Sequence, residues 1–274
     1  MRVIDFMFKQ IWRKTLYDQK ISLSIWITSL MAMSLMIMAM FPSISKQGDA
    51  LDQMMAALPP EMIELFYGGN VESMTSPIGW LNVELYGLLI PFALIIYGIG
   101  NGTYTIAGEE KNKTLELLVT SPISRIRLAF EKYFALILGM LAILISVTAF
   151  MSIFNGLFEL DVKPITFFVG GVEVFTLAIF YTSIGFALAT ATGNRGLSMG
   201  IAYAITIFSY LWNGFGGLVE SIKSTTNLSP FYHYSGLESQ GSGVNLVEVI
   251  VVFFLSISFV IISIAIFNKR DIGT

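Results

Sequence analysis

The side chains that most often carry chemistry in proteins are scarce in this sequence. It contains no cysteine, and histidine occurs once, as His233. This excludes disulfides and thiolate nucleophiles, and it removes most zinc and iron sites, which need several His or Cys ligands. A single histidine without such partners is more often a structural surface residue than a ligand. Any catalysis would therefore have to use carboxylates or hydroxyls.

A few polar residues fall inside apolar stretches, where an ionisable group is costly and is therefore a candidate for function. Glu248 follows Asn245 by three residues, the spacing of a capping box, and Glu84 is near enough to the end of its stretch to reach water. Glu173 lies about 13 Å deep at helical rise. We expect it either to be neutral and bonded to a neighbouring helix, or to face a translocation path or a subunit seam. Asn101 is a second candidate for such a path.

These residues are carried by a strongly apolar chain. Of 274 residues, 55% are hydrophobic and only 13% are charged, and the mean hydropathy is +0.73. A helix needs about 20 apolar residues to cross a bilayer core of about 30 Å. Six stretches are long enough, the fifth being the shortest: 21–41, 81–107, 133–154, 165–191, 197–215 and 246–267. We therefore expect an all-α integral membrane protein with a single transmembrane domain over residues 1–274, which leaves no room for a nucleotide-binding domain.

The basic residues predict the orientation of these spans, because Lys and Arg near span ends are retained in the cytoplasm. Most of them precede span one, lie between spans two and three, follow span four or end the chain. Lys46, Lys163 and Lys223 alone fall on the other side, among many acidic residues. An even number of spans with both termini in the cytoplasm is self-consistent. The first span begins too late and is too long for a signal peptide, so we expect it to be retained.

Several segments outside the spans show their own patterns. In residues 1–20 apolar residues recur at helical spacing opposite a basic face, which predicts an interfacial helix along the inner leaflet. The outer loop 42–77 carries a second amphipathic pattern that predicts short helices at the outer mouth. The aromatic segment 213–243 fits either a re-entrant element or an external cap.

The segment between spans two and three, residues 108–131, is the only sizeable cytoplasmic surface of this topology, so a cytosolic partner would dock here. Thr114 to Thr120 can form a short helix that exposes Leu115 and Leu118 on one side. Pro122 must end this helix, because proline lacks the amide and clashes with the preceding turn. Ser121-Pro122 can then cap the next helix.

The order of residues in this segment is distinctive. It contains an acidic-basic cluster, then a run of residues that can form a short helix, and then a proline-containing stretch that ends this helix. These are Glu109-Glu110-Lys111, Thr114-Leu115-Glu116-Leu117-Leu118 and Ser121-Pro122-Ile123-Ser124-Arg125. This order resembles that of the membrane subunits of type-2 ATP-binding-cassette exporters, with Lys113 where that family usually has glycine. The number of spans, the interfacial helix and the terminal Asn268-Lys269-Arg270-Asp271 are similar to the same family.

The resemblance implies that the segment is a coupling helix seated in a cleft of a separate cytosolic ATPase. The coupling residues would be Glu109, Glu110, Lys111, Thr114, Leu115, Glu116, Leu118, Ser121, Pro122 and Arg125. It also implies a permease dimer, homo- or heteromeric, in a prokaryotic plasma membrane. ATP and Mg would bind the partner ATPase and no cofactor this chain, and the sequence has no G-x-x-x-x-G-K-[ST] phosphate loop.

We therefore expect a non-enzymatic permease that exports an amphipathic substrate, such as a drug, a peptide or a lipid-like molecule. One alternative is a secondary transporter with an intramembrane site at Glu173. A membrane-embedded enzyme is the other, but the clustered Asp, His or Ser that it would need are absent from the sequence. The small net charge of -3 gives no indication of a nucleic-acid partner.

Overall fold

The computed structural model describes residues 10–48, 53, 57–58, 76–115, 123–216, 219, 223–237 and 246–270. All regular secondary structure within these ranges is helical. The predicted all-α class is therefore confirmed. Residues 1–9 of the predicted interfacial helix and most of the outer loop 42–77 lie outside the described residues.

Seven helices organise the described chain, together with short 3₁₀ turns. They are α1 (Ile11–Asp18), α2 (Lys20–Ser45), α3 (Pro77–Lys111), α4 (Arg125–Phe154), α5 (Pro164–Thr192), α6 (Arg195–Gly216) and α7 (Leu246–Lys269). Most extend beyond the predicted spans, because polar residues at a helix end continue its hydrogen bonding outside the apolar core. Helix α4, for example, begins eight residues before the predicted start of its span.

Helix α3 is not a regular α-helix throughout. It contains two π-helical turns, Asn82–Tyr86 and Tyr104–Gly108, one near each end. A π-turn inserts one residue into the helical repeat, so it changes which backbone carbonyls accept hydrogen bonds within the helix. Such turns are frequent at functional sites.

Five of the described helices are long and apolar enough to cross a membrane: α2, α3, α4 (with its 3₁₀ extension to Phe158), α5 and α7. Helix α6, the predicted fifth span, is not among them, because small and polar residues on one of its faces lower its hydropathy. It still runs along α5: Ser198 bonds Thr192 at one end, and Ser209 accepts from the Tyr181 hydroxyl at 2.7 Å near the other. The count of six membrane spans stays a prediction.

Helix α5 lies at the centre of the bundle. In the apolar stretch of 18 residues that defines it as a candidate span, 67% is buried inside the protein, compared with 22% in the corresponding stretches of α2 and α7. It packs on α3, α4, α6 and α7. The contact with α3 is close, because the Thr182 hydroxyl occupies the space that a Cβ at Gly98 would need. Small residues allow this kind of backbone approach between membrane helices, where dispersion forces drive association.

The alternating direction of the helices brings one set of ends together. We call this the basic end, because it carries Lys14, Lys20, Lys111, Arg125, Lys132, Arg195 and Arg270. Helix α1 lies here against α4: Ile11 is buried, and the backbone N–H of Trp12 donates to Glu131 Oε2 at 3.3 Å. Ser124 caps α4 by accepting from the Arg127 N–H at 3.3 Å. Ser124 lies directly before the first helical residue and is the observed N-cap of α4, whereas Ser121, for which a cap was predicted, lies outside the described residues.

Candidate functional site

A buried ion pair joins α3 and α4 at the basic end. The Lys132 side chain is 1% exposed, and its Nζ lies 2.5 Å from Glu109 Oε2. The same Nζ donates to the carbonyl oxygen of Thr105 at 2.7 Å. Thr105 belongs to the second π-turn of α3, so Lys132 binds both this irregular turn and the acidic residue that follows it.

A second network centres on Arg270, directly after α7. Its guanidinium pairs with Glu110 and donates to the carbonyl of Thr190 at 2.7 Å. The carbonyl of Arg270 in turn accepts from Arg125 Nη1 at 2.6 Å. Through these contacts the C-terminal ends of α3 and α5, the residue that follows α7 and the first residue of α4 are joined in one cluster. Charge-assisted hydrogen bonds of this kind are stronger than neutral ones.

Gly193 makes room for this cluster at the end of α5. It caps the helix in the left-handed conformation, with φ of +65°. A Cβ at this position would lie 2.8 Å from both carboxylate oxygens of Glu110 and 3.0 Å from Arg270 Nη1. Glycine is therefore required twice, for the backbone conformation and for the ion pair beside it.

The segment that leaves α3 makes a sharp turn at Lys113, whose φ is +56°. This is the left-handed region that glycine favours, and Lys113 stands where the resemblance expects glycine. The turn shape is thus present although the residue differs. The Thr114 hydroxyl stabilises it by donating to the carbonyl of Glu109 at 3.1 Å.

The sequence predicts an exposed Leu115, and this prediction is wrong. It is fully buried in a small apolar cluster with Ile106, Leu128, Phe186 and Phe267. The reason is that the left-handed turn at Lys113 directs the chain back onto the bundle. Leu115 therefore packs the segment against its own helices. Glu116, Leu118, Ser121 and Pro122 lie outside the described residues, while Lys111 is exposed.

Glu173 lies towards the opposite end of the bundle and is only 6% exposed. Its Oε2 accepts from the backbone N–H of Ser235 at 2.9 Å. Asn82 Oδ1 accepts from the Leu237 N–H at 2.8 Å, and the Tyr234 hydroxyl donates to the carbonyl of Tyr86 at 2.6 Å. Residues 234–237 are thus held on α3 and α5, and burial raises the pKa of Tyr234 well above its usual value. Whether Glu173 also faces a path stays a prediction.

The remaining polar residues singled out from the sequence have identifiable neighbours. His233 Nε2 lies 2.8 Å from the carbonyl oxygen of Asn227, and its Nδ1 lies 3.1 Å from Glu248 Oε2. Asn101 Nδ2 donates to the carbonyl of Tyr97 at 2.9 Å, and Asn101 lines a cleft at the basic end. Among the described residues, no group of three or more His, Asp or Glu side chains is placed to hold a metal ion.

Comparison with known families decides what kind of membrane protein this is. The family model described as "ABC-2 family transporter protein" matches residues 10–272, nearly the whole chain. The chain belongs to the ABC-2 transporter family. No curated protein and no solved structure matches it significantly.

As an ABC-2 family member, the chain is a multi-pass membrane permease, and such permeases act together with an ATP-binding-cassette component. The resemblance on residues 109–125 is therefore confirmed at the level of the family. It favours a permease over the secondary transporter considered as the alternative.

The sequence does not identify the partners of Glu109 and Glu110, two residues of the predicted coupling segment of this ABC-2 permease. By sequence alone, Lys132 is one basic residue among many and Arg270 is part of the charged terminus. One local signal was present: Lys132 follows Arg125 by seven residues, which places both on one face of a helix. Their pairing with Glu109 and Glu110 spans long stretches of sequence, so only the packing of the helices could reveal it.

Proposed function

We propose that this chain is the permease subunit of an ATP-binding-cassette exporter. It moves an amphipathic substrate outward, driven by ATP hydrolysis in a separate cytosolic ATPase. The basic end is the cytoplasmic end, and residues 109–125 are the segment on which the ATPase acts. The observation that carries the proposal is the pair of ionic contacts, Glu109 with Lys132 and Glu110 with Arg270, that bind the first residues of this segment to the bundle.

These contacts give the segment a mechanical connection to the bundle. Its first residues are bound to α4 through Lys132 and to α7 through Arg270, and Arg125, at its end, is bound to the carbonyl of Arg270. A displacement of the segment is therefore transmitted to several helices at once. Packed helices respond to such a displacement by shifting as rigid bodies between discrete arrangements.

The other subunits of the proposed exporter, and the residues that would line its path, follow from this assignment. ATP and Mg bind the ATPase subunits, because the permease sequence contains no phosphate loop. A second permease, identical or related, completes the transmembrane path in a prokaryotic plasma membrane. Asn101 and Glu173 are the residues of this chain that we assign to the path.

The docking of the ATPase is tested by co-purification of the full-length chain with candidate cytosolic ATPases. The variant Glu116→Lys/Leu118→Arg reverses the charge and removes the apolar contact in the proposed docking segment, so we expect it to lose the ATPase. The control, Lys223→Glu, also changes charge, but at the opposite end, and should retain it. If no ATPase co-purifies with the wild type, or if the control loses it equally, the proposal fails.

Coupling is tested separately at the buried ion pair. Lys132→Met leaves the Glu109 carboxylate without its cation, and breaking a buried pair typically costs about 3–5 kcal/mol. We expect the ATPase still to bind while substrate no longer stimulates ATP hydrolysis. Lys132→Met/Glu109→Gln removes both charges and should recover most of the lost stability.

The matched control for Lys132→Met is a pair on the same helix whose cation is exposed, Arg127 with Glu131 at 2.6 Å; the Arg127 side chain is 55% exposed. Arg127→Met should cost at most about 1 kcal/mol, because solvent screens the Arg127 charge and Glu131 keeps its bond from the Trp12 N–H. Normal substrate stimulation in Lys132→Met would show that this ion pair does not couple the segment to the spans.

A further inference from the structure

A polar cleft opens between the α1–α2 corner and α3 at the basic end. Its volume is about 480 Å³, within the usual range for small-molecule sites. Its walls include Lys14, Asp18, Gln19, Ser22, Asn101 and Glu109. The second π-turn of α3 supplies part of this wall, so the cleft adjoins the turn that Lys132 binds.

The cleft reaches into the predicted membrane region. Asn101 precedes Glu109 by eight residues, which corresponds to about 12 Å along α3. On the facing wall, the Tyr97 hydroxyl donates to Gln19 Oε1 at 3.2 Å, and Ser22 follows Gln19 by three residues at the start of α2. Polar side chains within a membrane region are stable where they line a water-filled cavity or bond within the protein. We expect water to enter this cleft from the basic end, which the labelling experiment below tests.

The formal charges on the walls are already compensated. Lys14 Nζ pairs with Asp18 Oδ2 at 2.8 Å, and Glu109 pairs with Lys132. The rest of the lining consists of amides and hydroxyls, among them Gln19, Asn101 and Asn112. Among the lining residues, a ligand group with a net charge would find only charges that are already paired. An uncharged polar group could instead donate to hydroxyl oxygens such as those of Thr15 and Thr114, whose own protons bond to backbone carbonyls.

Apolar surface adjoins these polar walls. On α2, Ile21 and Ile25 flank Ser22 and are 68% and 59% exposed. An amphipathic molecule with its head in the cleft could therefore extend its apolar part along α2 into the lipid. The corner between α1 and α2 would act as the point of access from the inner leaflet.

We propose that this cleft binds the uncharged polar head group, polyhydroxyl or amide, of an amphipathic molecule. The inference rests on the proposed function for the role of that molecule as the transported substrate. The binding itself does not require the ATPase. The occupant would come either from the membrane, as an uncharged glycolipid, or from the cytosol.

The proposal can be tested by thiol labelling, because the native chain contains no cysteine. Ser22→Cys places a thiol on the cleft wall, and Ser24→Cys places one on the same helix outside the lining, where the residue is exposed. With the full-length permease in phosphatidylcholine nanodiscs, a membrane-impermeant methanethiosulfonate reagent should modify Ser22→Cys at least tenfold faster than Ser24→Cys. Equal rates would refute an aqueous cleft.

Head-group preference is measured as protection of the Ser22→Cys thiol. Dodecyl maltoside, added below its micelle concentration, should slow labelling at least fivefold. Dodecyltrimethylammonium and dodecyl phosphate, which have the same chain length and opposite charges, should leave the rate unchanged. Equal protection by all three probes, or by none, would overturn the proposal.

Two further experiments test whether Asn101 binds the head group and whether the ligand comes from the membrane or from the cytosol. Adding Asn101→Leu to Ser22→Cys should abolish protection by dodecyl maltoside, measured relative to the unprotected labelling rate of the same double variant. Retained protection would overturn the assignment to this cleft. Nanodiscs that contain glucosyl diacylglycerol should show protection without added maltoside if the occupant is a membrane lipid, and protection by maltoside alone supports a cytosolic source. Because the ATPase is absent, these outcomes are independent of the co-purification test of the proposed function.

Discussion

Lys113 bears a local conformational cost in the segment that leaves α3. Its φ of +56° lies in the left-handed region, where a residue with a Cβ is less stable than glycine by about 1 kcal/mol. Neighbouring hydrogen bonds maintain the turn: the Asn112 N–H donates to the carbonyl of Gly108 at 3.1 Å, and the Lys113 N–H to that of Glu110 at 3.0 Å. The turn aims Leu115 at the bundle, so its shape decides how the segment is seated.

Lys113→Gly should therefore stabilise the purified permease by about 1 kcal/mol, since it relieves this conformation. Lys113→Val should destabilise it, because a β-branched side chain tolerates the left-handed region poorly. Thermal unfolding in detergent measures both. The control is Lys111→Gly, two residues earlier at a helical position, where glycine should cost up to about 1 kcal/mol. A loss of stability in Lys113→Gly that equals the loss in Lys111→Gly would contradict the argument.

Helix α6 shows how an element can be long enough to cross a membrane and yet be weakly apolar. Its face towards the bundle is built of small or polar residues, including Ser198, Ala202 and Thr206, all buried. Its opposite face exposes large apolar residues such as Ile207 and Phe208. In a bilayer this arrangement is stable, because the hydroxyls bond within the protein while the apolar face contacts lipid.

Helix α6 should therefore place its two ends on opposite sides of the membrane. Gly196→Cys lies at its start, where a Cβ meets only an ordinary contact with Asn194, and Lys223→Cys lies beyond its end. A membrane-impermeant maleimide applied to sealed vesicles of known orientation should label each thiol from a different side. Labelling of both from one side would show that α6 is re-entrant and would reduce the number of spans.

At the scale of the whole molecule, the bundle is held together at both ends. At the basic end the guanidinium of Arg270 binds Glu110 and the carbonyl of Thr190, and its own carbonyl accepts from Arg125. At the opposite end residues 229–237 are bonded to α3, α5 and α6 through contacts such as Ser229 with Ser209. Helices bound at their ends are expected to move as connected bodies, as the proposed function requires.

Arg270→Ala should accordingly affect several helices at once. Loss of the charge-assisted bonds to Glu110 and Thr190 should cost about 2 kcal/mol, because each such bond contributes more than a neutral one. Thermal unfolding of Arg270→Ala, Glu110→Gln and the double variant measures the coupling between the two residues. Lys269→Ala, which removes a neighbouring exposed charge, should change stability by less than about 0.5 kcal/mol. Additive effects of the two single variants would show that the pair contributes no interaction of its own.

Hydropathy and local residue order predict the all-α membrane class, the approximate positions of the helices and the family, because both are properties of contiguous stretches. Other features of the molecule are visible only once the helices are packed. The burial of Leu115, the pairing of Lys132 with Glu109, the position of Arg270 and the cleft beside Asn101 all depend on residues far apart in the chain. The polar face of α6 lowers its hydropathy, so the sequence alone makes it a weak candidate for a membrane span. In the folded bundle, hydroxyls on that face hydrogen-bond to α5. Pairing between distant helices leaves no periodic signal in the sequence, so only the folded bundle could specify it.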